Sequence, residues 1–312
     1  MHRLEAVALA HRSDHCLGPA EAFSLVGDET RMTILEALWH AEDPPVQFST
    51  LYELSETDTS ARFNYHLNQL TGHFVRKRDG GYELRTAGEN VVRAVVAGSF
   101  NAHPAPESFE TGDPCTQCGE TLVASYDDEH LAVDCPACGR AHGEYGFPPG
   151  GLLGRDDSEV LAAFDRRVRH RHSLARDGVC PACSGRIRTA IARAGECCLD
   201  ADLRVEYSCA QCLHSFCSPI GVALLDQPAL VAFHRDHGID LGATPYWRLD
   251  WCVTDDHLTV DSTDPWRITL TVALGGDTLS VTVDEALRLV DSDPDDAVTG
   301  PPLARGSADR RG

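Results

Sequence analysis

Cys115-Thr116-Gln117-Cys118 decides the fold of the central part of this chain, because the same spacing recurs three times downstream. The recurrences are Cys135-Pro136-Ala137-Cys138, Cys180-Pro181-Ala182-Cys183 and Cys209-Ala210-Gln211-Cys212. A Cys-x-x-Cys turn presents two thiolates from one bend of the backbone, so two such turns supply a tetrahedral four-sulfur site. The sequence therefore predicts two metal sites, each with four cysteine ligands.

The first quartet consists of Cys115, Cys118, Cys135 and Cys138. Sixteen residues separate its two turns, and a glycine follows each turn. This spacing is close to that of a zinc ribbon, in which a hairpin joins the two turns. We predict zinc here, with iron or a metal-free redox dithiol as the alternatives.

The second quartet consists of Cys180, Cys183, Cys209 and Cys212. Its spacer of 25 residues is compatible with a ribbon that has a longer hairpin. Cys-Pro-Ala-Cys also occurs in thioredoxin-like redox proteins, but those require a βαβ context, so two facing turns favour metal. Four-thiolate sites leave no open coordination position, which argues against hydrolysis. We therefore expect two structural Zn²⁺ ions, no catalytic residue and no enzymatic activity.

Five further cysteines lie outside the quartets: Cys16, Cys197, Cys198, Cys217 and Cys252. We expect them to be small apolar side chains that fill space. The alternative is a thiol switch or a second ligand set around Cys197 and Cys198, with Cys217 and Cys197 as the first substitutes for a misassigned ligand.

Composition restricts the class of protein. The 312 residues carry a formal net charge of −21, and all but one of the 27 basic residues are arginine, Lys77 being the exception. This pattern resembles the proteins of salt-in halophiles, and it disfavours nonspecific binding of polyanions. No apolar run reaches the roughly 18 residues of a membrane span, and the amino terminus lacks an export signal. We expect a cytoplasmic protein without membrane contact.

Upstream of the cysteines, helical patterns precede a hairpin. Helices are predicted from Pro19, from Asp28 to His40 and from Ser49 to Leu54, followed by a fourth from Thr59 to Thr71. The fourth has an apolar face of Phe63, Leu67 and Leu70 and an opposite polar face. The turn Asp79-Gly80-Gly81 joins two extended segments, and a fifth helix from Thr86 follows.

This order, together with Asp28–Leu38, Phe63–Leu70 and the hairpin that ends Gly80-Gly81-Tyr82-Glu83-Leu84, resembles ArsR-type winged helix-turn-helix regulators over Pro19–Phe100. The resemblance implies a helix in the major groove of double-stranded DNA, a wing along the DNA backbone and a homodimer. The segment Ser49–Ser55 lacks the cysteine pair of many ArsR-type metal sensors, so sensing of soft metals there is unsupported. The wider arrangement resembles haloarchaeal winged-helix proteins.

The polar face and the hairpin supply the candidate DNA contacts. Their amides, hydroxyls and cations suit base edges and phosphates. The residues are Ser60, Arg62, Asn64, Tyr65, Asn68, Gln69, Arg76, Lys77 and Arg78. A solvated charged hairpin is the alternative for the last three, and His66 is expected to lie in the core.

Two other polar clusters have simple structural explanations. Arg166–His172 is the most basic run and suits the carboxyl end of a helix predicted over Asp156–Ala175, with an accessory DNA contact as the alternative. Phe233–His237 is expected to be a helix end with satisfied histidines rather than a catalytic site.

We thus predict an α+β multidomain protein: a winged helix-turn-helix (19–100), a first zinc ribbon (101–147), a helix with a second ribbon (148–225), a C-terminal α/β segment (226–290) and a disordered tail (291–312). In the fourth part, Tyr246–Val260 is predicted to be extended, Ile268–Val283 a hairpin and Asp284–Val290 a short helix. The predicted function is sequence-specific transcription regulation, with the cysteine-rich region serving dimerisation or the sensing of a small-molecule or redox effector. The alternative is a nonenzymatic adaptor that docks on transcription or RNA machinery.

Overall fold

The computed structural model describes residues 17–55, 57–193 and 201–295. The described residues form two compact units. The first unit combines the described residues up to Ala105 with Pro148–Gly154, and the second combines Pro106–Phe147 with the described residues from Arg155 onward. The architecture is mixed α+β with several small sheets, which confirms the predicted class at that level.

The first unit consists of short helices and one hairpin. Its elements are α1 (Pro19–Val26), α2 (Glu29–Trp39), α3 (Phe48–Leu54), α4 (Ser60–Leu70), β1 (Val75–Arg78), β2 (Gly81–Leu84), α5 (Thr86–Val96) and a 3₁₀ turn (Pro149–Gly151). The apolar faces of these helices meet in one core that includes Ile34, Leu35, Leu51, Phe63 and Leu67. Burial of such side chains is the main force that holds the unit together.

Side-chain caps and one turn set the limits of the elements that matter most here. The Asp28 carboxylate accepts a hydrogen bond from Arg31 N at 3.0 Å and begins α2. The Thr59 hydroxyl accepts one from Arg62 N at 3.3 Å and begins α4. Gly80, with φ of 98°, makes the turn between β1 and β2. A residue with a side chain would be strained in that conformation. The predicted hairpin is therefore confirmed.

The second unit contains three small antiparallel sheets. Its elements are β3 (Glu107–Pro114), β4 (Thr121–Asp127), β5 (His130–Asp134), β6 (Ala141–Gly146), α6 (Asp157–Arg176), β7 (Ile187–Arg193), β8 (Leu203–Cys209), β9 (Ser215–Ser218), α7 (Ile220–Leu224), α8 (Pro228–Asp236), a 3₁₀ turn (Tyr246–Arg248), α9 (Asp250–Val253), β10 (Leu258–Thr263), β11 (Trp266–Leu274), β12 (Asp277–Asp284) and β13 (Leu289–Asp295). Each sheet keeps its strands in chain order, β3 to β6, β7 to β9 and β10 to β13. Among the described helices none has the length and apolar character to cross a membrane.

Helix α6 lies at the centre of the second unit. Asp156 caps it in a reciprocal capping box with Glu159, and Phe164 on its buried face packs against Phe147 and Trp247. The buried Asp165 carboxylate pairs with Arg169 at 2.7 Å and accepts a hydrogen bond from Tyr246 N at 2.9 Å. These contacts join the helix to the first sheet and to the 3₁₀ turn at Tyr246.

Near its carboxyl end, α6 places His172 in the core. The imidazole packs against Tyr145, Tyr207 and Phe216, and neither ring nitrogen has a hydrogen-bond partner among the described residues. Burial, and to a lesser degree the neighbouring Arg171, lowers the pKa of His172 to about 3. The ring is therefore a neutral packing group that lies between the first and second sheets of the unit.

The prediction of an extended Tyr246–Val260 segment is wrong over its first half. Residues Tyr246–Arg248 form the 3₁₀ turn and Asp250–Val253 form α9, and only Leu258 onward is a strand. Tyr246 and Trp247 are fully buried, and Trp247 Nε1 donates to Asp113 at 2.8 Å. Aromatic residues favour strands by propensity, but packing against α6 selects helical turns here.

The predicted helix over Asp284–Val290 is also wrong. The Asp284 carboxylate accepts hydrogen bonds from Ala286 N and Arg288 N, both at 2.9 Å, and this closes a turn. Strand β13 then pairs with β12 as far as Asp295, so the predicted disorder is wrong for 291–295. An edge strand rich in acidic residues gives little apolar signal in sequence. Residues 296–312 lie outside the described part of the chain, as do residues 1–16.

Gly221 offers a test of the packing of α7 on α9. A Cβ there would lie 1.9 Å from the backbone oxygen of Trp251, which cannot move without displacing α9. Gly221→Ala is expected to lower the free energy of unfolding by about 3 kcal/mol. Gly146→Ala is the control, because its Cβ would meet only ordinary contacts from 3.8 Å. Denaturant titration of both variants checks this, and equal stabilities would contradict the packing.

Candidate functional site

The first tetrad (Cys115, Cys118, Cys135 and Cys138) lies at one end of the first sheet. The turn between β3 and β4 supplies two of its cysteines, and the turn between β5 and β6 supplies the other two. All four sulfurs lie within 4.8 Å of one another. Cys115 Sγ is 3.8 Å from Cys138 Sγ, and Cys118 Sγ is 3.4 Å from Cys135 Sγ.

The second tetrad (Cys180, Cys183, Cys209 and Cys212) repeats this geometry on the second sheet. The turn before β7 faces the turn between β8 and β9, and the four sulfurs again lie within 4.8 Å of one another. Cys180 Sγ is 3.7 Å from Cys212 Sγ, and Cys183 Sγ is 3.7 Å from Cys209 Sγ. The structure thus assembles both predicted quartets from turns that are distant in sequence.

These spacings fit a four-coordinate metal. Tetrahedral geometry with metal–sulfur bonds of about 2.3 Å places the sulfurs about 3.8 Å apart. A disulfide requires about 2.05 Å, well below any distance in either tetrad. The two clusters are therefore compatible with two metal ions, as predicted.

The backbone of each turn is arranged in one repeated way. In the turn at Cys115 the amide of that residue donates to Glu120 O at 2.7 Å, and Gly119 N donates to Cys115 O at 2.9 Å. The turns at Cys135, Cys180 and Cys209 have the same pair of bonds. The fifth residue of the turn has positive φ every time: Gly119, Gly139, Ser184 and Leu213.

Glycine at that fifth position was part of the sequence signal for the first tetrad. The second tetrad uses Ser184 and Leu213 instead, with φ of 59° and 60°. A left-handed conformation costs a residue with a side chain roughly 1–2 kcal/mol. The turns of the second tetrad therefore adopt a strained backbone at two residues whose side chains do not favour it.

Backbone amides also favour ionisation of one thiol in each tetrad. Hydrogen bonds from the amides of Cys138 and Ala137 lower the pKa of Cys135 to about 7. The amides of Cys212 and Gln211 likewise lower the pKa of Cys209 to about 7. Metal binding requires thiolates, so these two sulfurs are the ones most readily available to a metal near neutral pH.

His142, which the sequence analysis did not select, lies beside the first tetrad. Its side chain is buried, and its Nε2 is 3.5 Å from Cys115 Sγ. A ring N–H at this position donates to a thiolate and orients it, as outer groups around metal sites do. Burial lowers the pKa of His142, so its ring is held neutral. The only sequence clue is its place four residues after Cys138.

The remaining cysteines do not join either cluster. Cys252 is buried and Cys217 is half-buried, in agreement with the prediction that these side chains fill space. Cys16 lies outside the described residues, as do Cys197 and Cys198, on which the predicted thiol switch is centred. Within the described chain, the groups of histidine, cysteine and acidic residues able to hold a metal are the two tetrads.

Helix α4 presents the predicted polar face to solvent. Ser60, Arg62, Asn64, Tyr65 and Asn68 are exposed and Gln69 is half-buried. On the opposite side Phe63, His66, Leu67 and Leu70 are buried. His66 lies in the core as expected, with Nδ1 3.2 Å from the Asp28 carboxylate that caps α2.

The basic hairpin is partly neutralised by an acid of its own. Arg76, Lys77 and Arg78 on β1 are exposed, but Glu83 on β2 accepts from Arg76 Nε at 2.6 Å and from Arg78 Nε at 2.8 Å. Hydrogen bonds from Arg78 and Arg76 lower the pKa of Glu83, so it remains ionised at neutral pH. Glu83 lies directly opposite Arg76 on the neighbouring strand, so pairing of β1 with β2 brings the carboxylate to the cations, and the prediction from the cations alone did not include it.

The histidines of Phe233–His237 are satisfied, as predicted. His234 Nδ1 and His237 Nδ1 each lie 2.8 Å from a carbonyl oxygen one turn earlier in α8. His237 Nε2 lies 3.1 Å from the Asp277 carboxylate. The cluster joins α8 to β12 and serves the fold.

Comparison with known proteins gives two matches to families. The family described as "Domain of unknown function (DUF7351)" matches residues 112–289, a segment that contains both tetrads. The family described as "Domain of unknown function (DUF7347)" matches residues 19–95, which contain α4 and the hairpin. No curated protein and no solved structure matches the chain.

Single substitutions in the tetrads test the metal stoichiometry. We expect two metal ions per chain in the purified protein, and one ion per chain in Cys118→Ser and in Cys183→Ser, because three thiolates bind far more weakly than four. Cys217→Ser, which alters a cysteine outside both tetrads, is the control and keeps two. Elemental mass spectrometry with a protein assay measures this. Full metal content in the tetrad variants would show that the clusters are not the ligands.

Proposed function

The chain belongs to the family described as "Domain of unknown function (DUF7351)", whose description assigns no activity, and we propose from its own residues that it is a zinc-containing, sequence-specific DNA-binding transcription regulator. In this proposal the first unit is a winged helix-turn-helix of ArsR-like type. Helix α4 enters the major groove of double-stranded DNA, and the β1–β2 hairpin is the wing.

One observation carries the proposal: a helix whose exposed face is polar apart from Ala61 precedes a hairpin with three exposed cations. Arg62, Asn64, Tyr65 and Asn68 offer donors and acceptors that match base edges, while the buried face anchors the helix in the core. Arg76, Lys77 and Arg78 supply the positive charge that phosphate contact requires.

Zinc is the metal that the donor set favours. Four thiolates in a closed tetrahedral arrangement are typical of structural zinc, and such a site holds the fold without offering a coordination position to a substrate. The two sites join the turns of two small sheets in the second unit. We assign the second unit to dimerisation or effector sensing rather than to catalysis.

The net charge of −21 sets the conditions under which such a regulator works. At molar salt the release of counterions contributes little to DNA affinity. Hydrogen bonds to base edges and the fit to DNA shape then supply most of the selectivity. This accounts for an acidic protein that reads DNA with a small number of local cations.

A nonenzymatic adaptor is the second candidate function. Leu213, in a turn of the second tetrad, is 76 % exposed and is accessible to another protein. In that case the polar face of α4 has no role in DNA binding, so the experiment below separates the two functions.

Substitutions on α4 and on the hairpin are expected to differ in effect. Arg62→Ala and Tyr65→Ala should weaken binding to the selected sequence by about 1–3 kcal/mol, because they remove contacts to bases. Arg76→Ala and Lys77→Ala should weaken selected and random duplexes alike. The selected duplex is first enriched from genomic fragments in high potassium chloride. Fluorescence anisotropy then measures the affinity of each variant for this duplex and for a random one.

Arg235→Ala serves as the control, since Arg235 is an exposed arginine on α8 in the second unit. It should leave both affinities unchanged. Equal losses on both duplexes from all four variants would remove the proposed division between base and phosphate contacts. Failure of the unaltered protein to enrich any fragment would favour the adaptor.

Glu83 gives a prediction with the opposite sign. Glu83→Gln removes the carboxylate that Arg76 and Arg78 share, so both guanidinium groups become available to phosphate. Affinity for random duplex is expected to rise about 3- to 10-fold at low salt, with a steeper dependence on salt. Glu53→Gln on α3 makes the same change in net charge and is the control. Equal gains from both variants would show that bulk charge alone acts.

A further inference from the structure

A small pocket lies beside the second tetrad, in a part of the chain that the proposed DNA contacts do not use. Its volume is about 170 Å³. The residues that line it come from α6, from the first turn of the tetrad and from the turn that precedes β9: Arg167, His170, Arg171, Pro181, Ala182 and His214. All of them belong to the second unit.

The charge of this pocket is opposite to that of the chain. Two arginines and two histidines line it, and no acidic residue does. Arg167 and Arg171 form no ion pair with any carboxylate of the described residues, whereas Arg169 of the same helix pairs with Asp165 at 2.7 Å. In a protein with 48 acidic and 27 basic side chains, two arginines without a carboxylate partner in one cavity are a specific arrangement among the described residues.

Arg171 is held in the pocket wall. Its guanidinium carbon lies 4.7 Å from the centre of the Phe216 ring, and its Nη2 lies 3.0 Å from His214 Nε2. A guanidinium group only donates hydrogen bonds, so His214 accepts through Nε2 and carries its proton on Nδ1. Arg171 Nε is buried without a hydrogen-bond partner among the described residues. A buried, unsatisfied donor is costly and favours a ligand that accepts from it or from its neighbours.

Arg167 approaches the same cavity from one turn earlier in α6. Its Nε donates to Gly146 O at 3.0 Å, which fixes the side chain and leaves its terminal nitrogens for another acceptor. Two guanidinium groups on one helix, four residues apart, are neighbours on the same face. Like charges at that spacing repel each other, and an anion between them removes the repulsion.

We propose that this pocket is an oxyanion site that binds a phosphate group. Arginine is the residue that best matches the oxygens of phosphate, because its planar nitrogens donate two parallel bonds. The cavity of about 170 Å³ has room for a phosphate group. The phosphate belongs either to a small free phosphate compound or to the backbone of DNA. The site stands on the second unit alone and does not depend on the proposed function of the first.

The test uses the full-length, metal-loaded protein and inorganic phosphate as the probe. Isothermal titration calorimetry at constant ionic strength, maintained with potassium chloride, should show saturable binding of one phosphate per chain. Arg167→Gln should weaken that binding at least 10-fold. Arg166→Gln is the matched control, because Arg166 is an exposed arginine of the same run that does not line the pocket. It should change the affinity less than 2-fold.

Arg167 is itself exposed, so its substitution is not expected to unfold the protein, and metal content verifies this. Absence of saturable heat in the unaltered protein, or equal losses from the two variants, overturns the proposal. A second arm identifies the source of the phosphate. If Arg167→Gln also weakens duplex DNA binding and phosphate competes with the duplex, the group belongs to DNA; if duplex binding is unchanged, a free phosphate compound occupies the site.

Discussion

Four cysteine sulfurs within 4.8 Å of one another form the constraint on which the second unit depends. Four thiolates at such distances would repel strongly, and in the proposed zinc protein a cation at their centre would hold the two turns together. The backbone of each turn repeats the same two hydrogen bonds. In the second tetrad, Ser184 and Leu213 adopt a left-handed conformation that their side chains disfavour. The sheets attached to these turns have four and three short strands, and each cluster fixes one end of its sheet.

Helix α6 connects the two tetrad-bearing sheets and the turn at Tyr246 within the second unit. Phe164 and Asp165 attach it to the first sheet and to the turn at Tyr246, and His172 packs against aromatic residues of both sheets that carry a cysteine tetrad. The same helix places the exposed Arg167 and the half-buried Arg171 beside the second tetrad. A single helix therefore provides a buried face that holds the unit together and a basic face that suits an anion. Folding brings part of the basic run Arg166–His172 to the cavity beside the second tetrad. The order of residues in the sequence does not indicate this contact.

The first unit shows how a local charge pattern operates inside an acidic protein. Three adjacent cations on β1 look like a strong phosphate-binding element, yet Glu83 on the paired strand holds two of them. Shared carboxylates of this kind reduce nonspecific attraction and keep the arginines in defined positions. In the proposed regulator this restraint favours selectivity over affinity, which is the balance that a protein reading DNA at high salt requires.

The sequence by itself determined the elements whose causes are local. The spacing of Cys115, Cys118, Cys135 and Cys138 indicates a ligand set because each turn presents its own two sulfurs, and the periodicity of α4 separates Phe63 from Asn64 because helix geometry alone assigns their faces. Only the tertiary structure decided the helical turns at Tyr246–Val253, the strand β13, the approach of His142 to Cys115 and the pocket between α6 and the second tetrad. Each of these arises from contacts between residues far apart in the chain, and such contacts override the weak local preferences that sequence analysis can read.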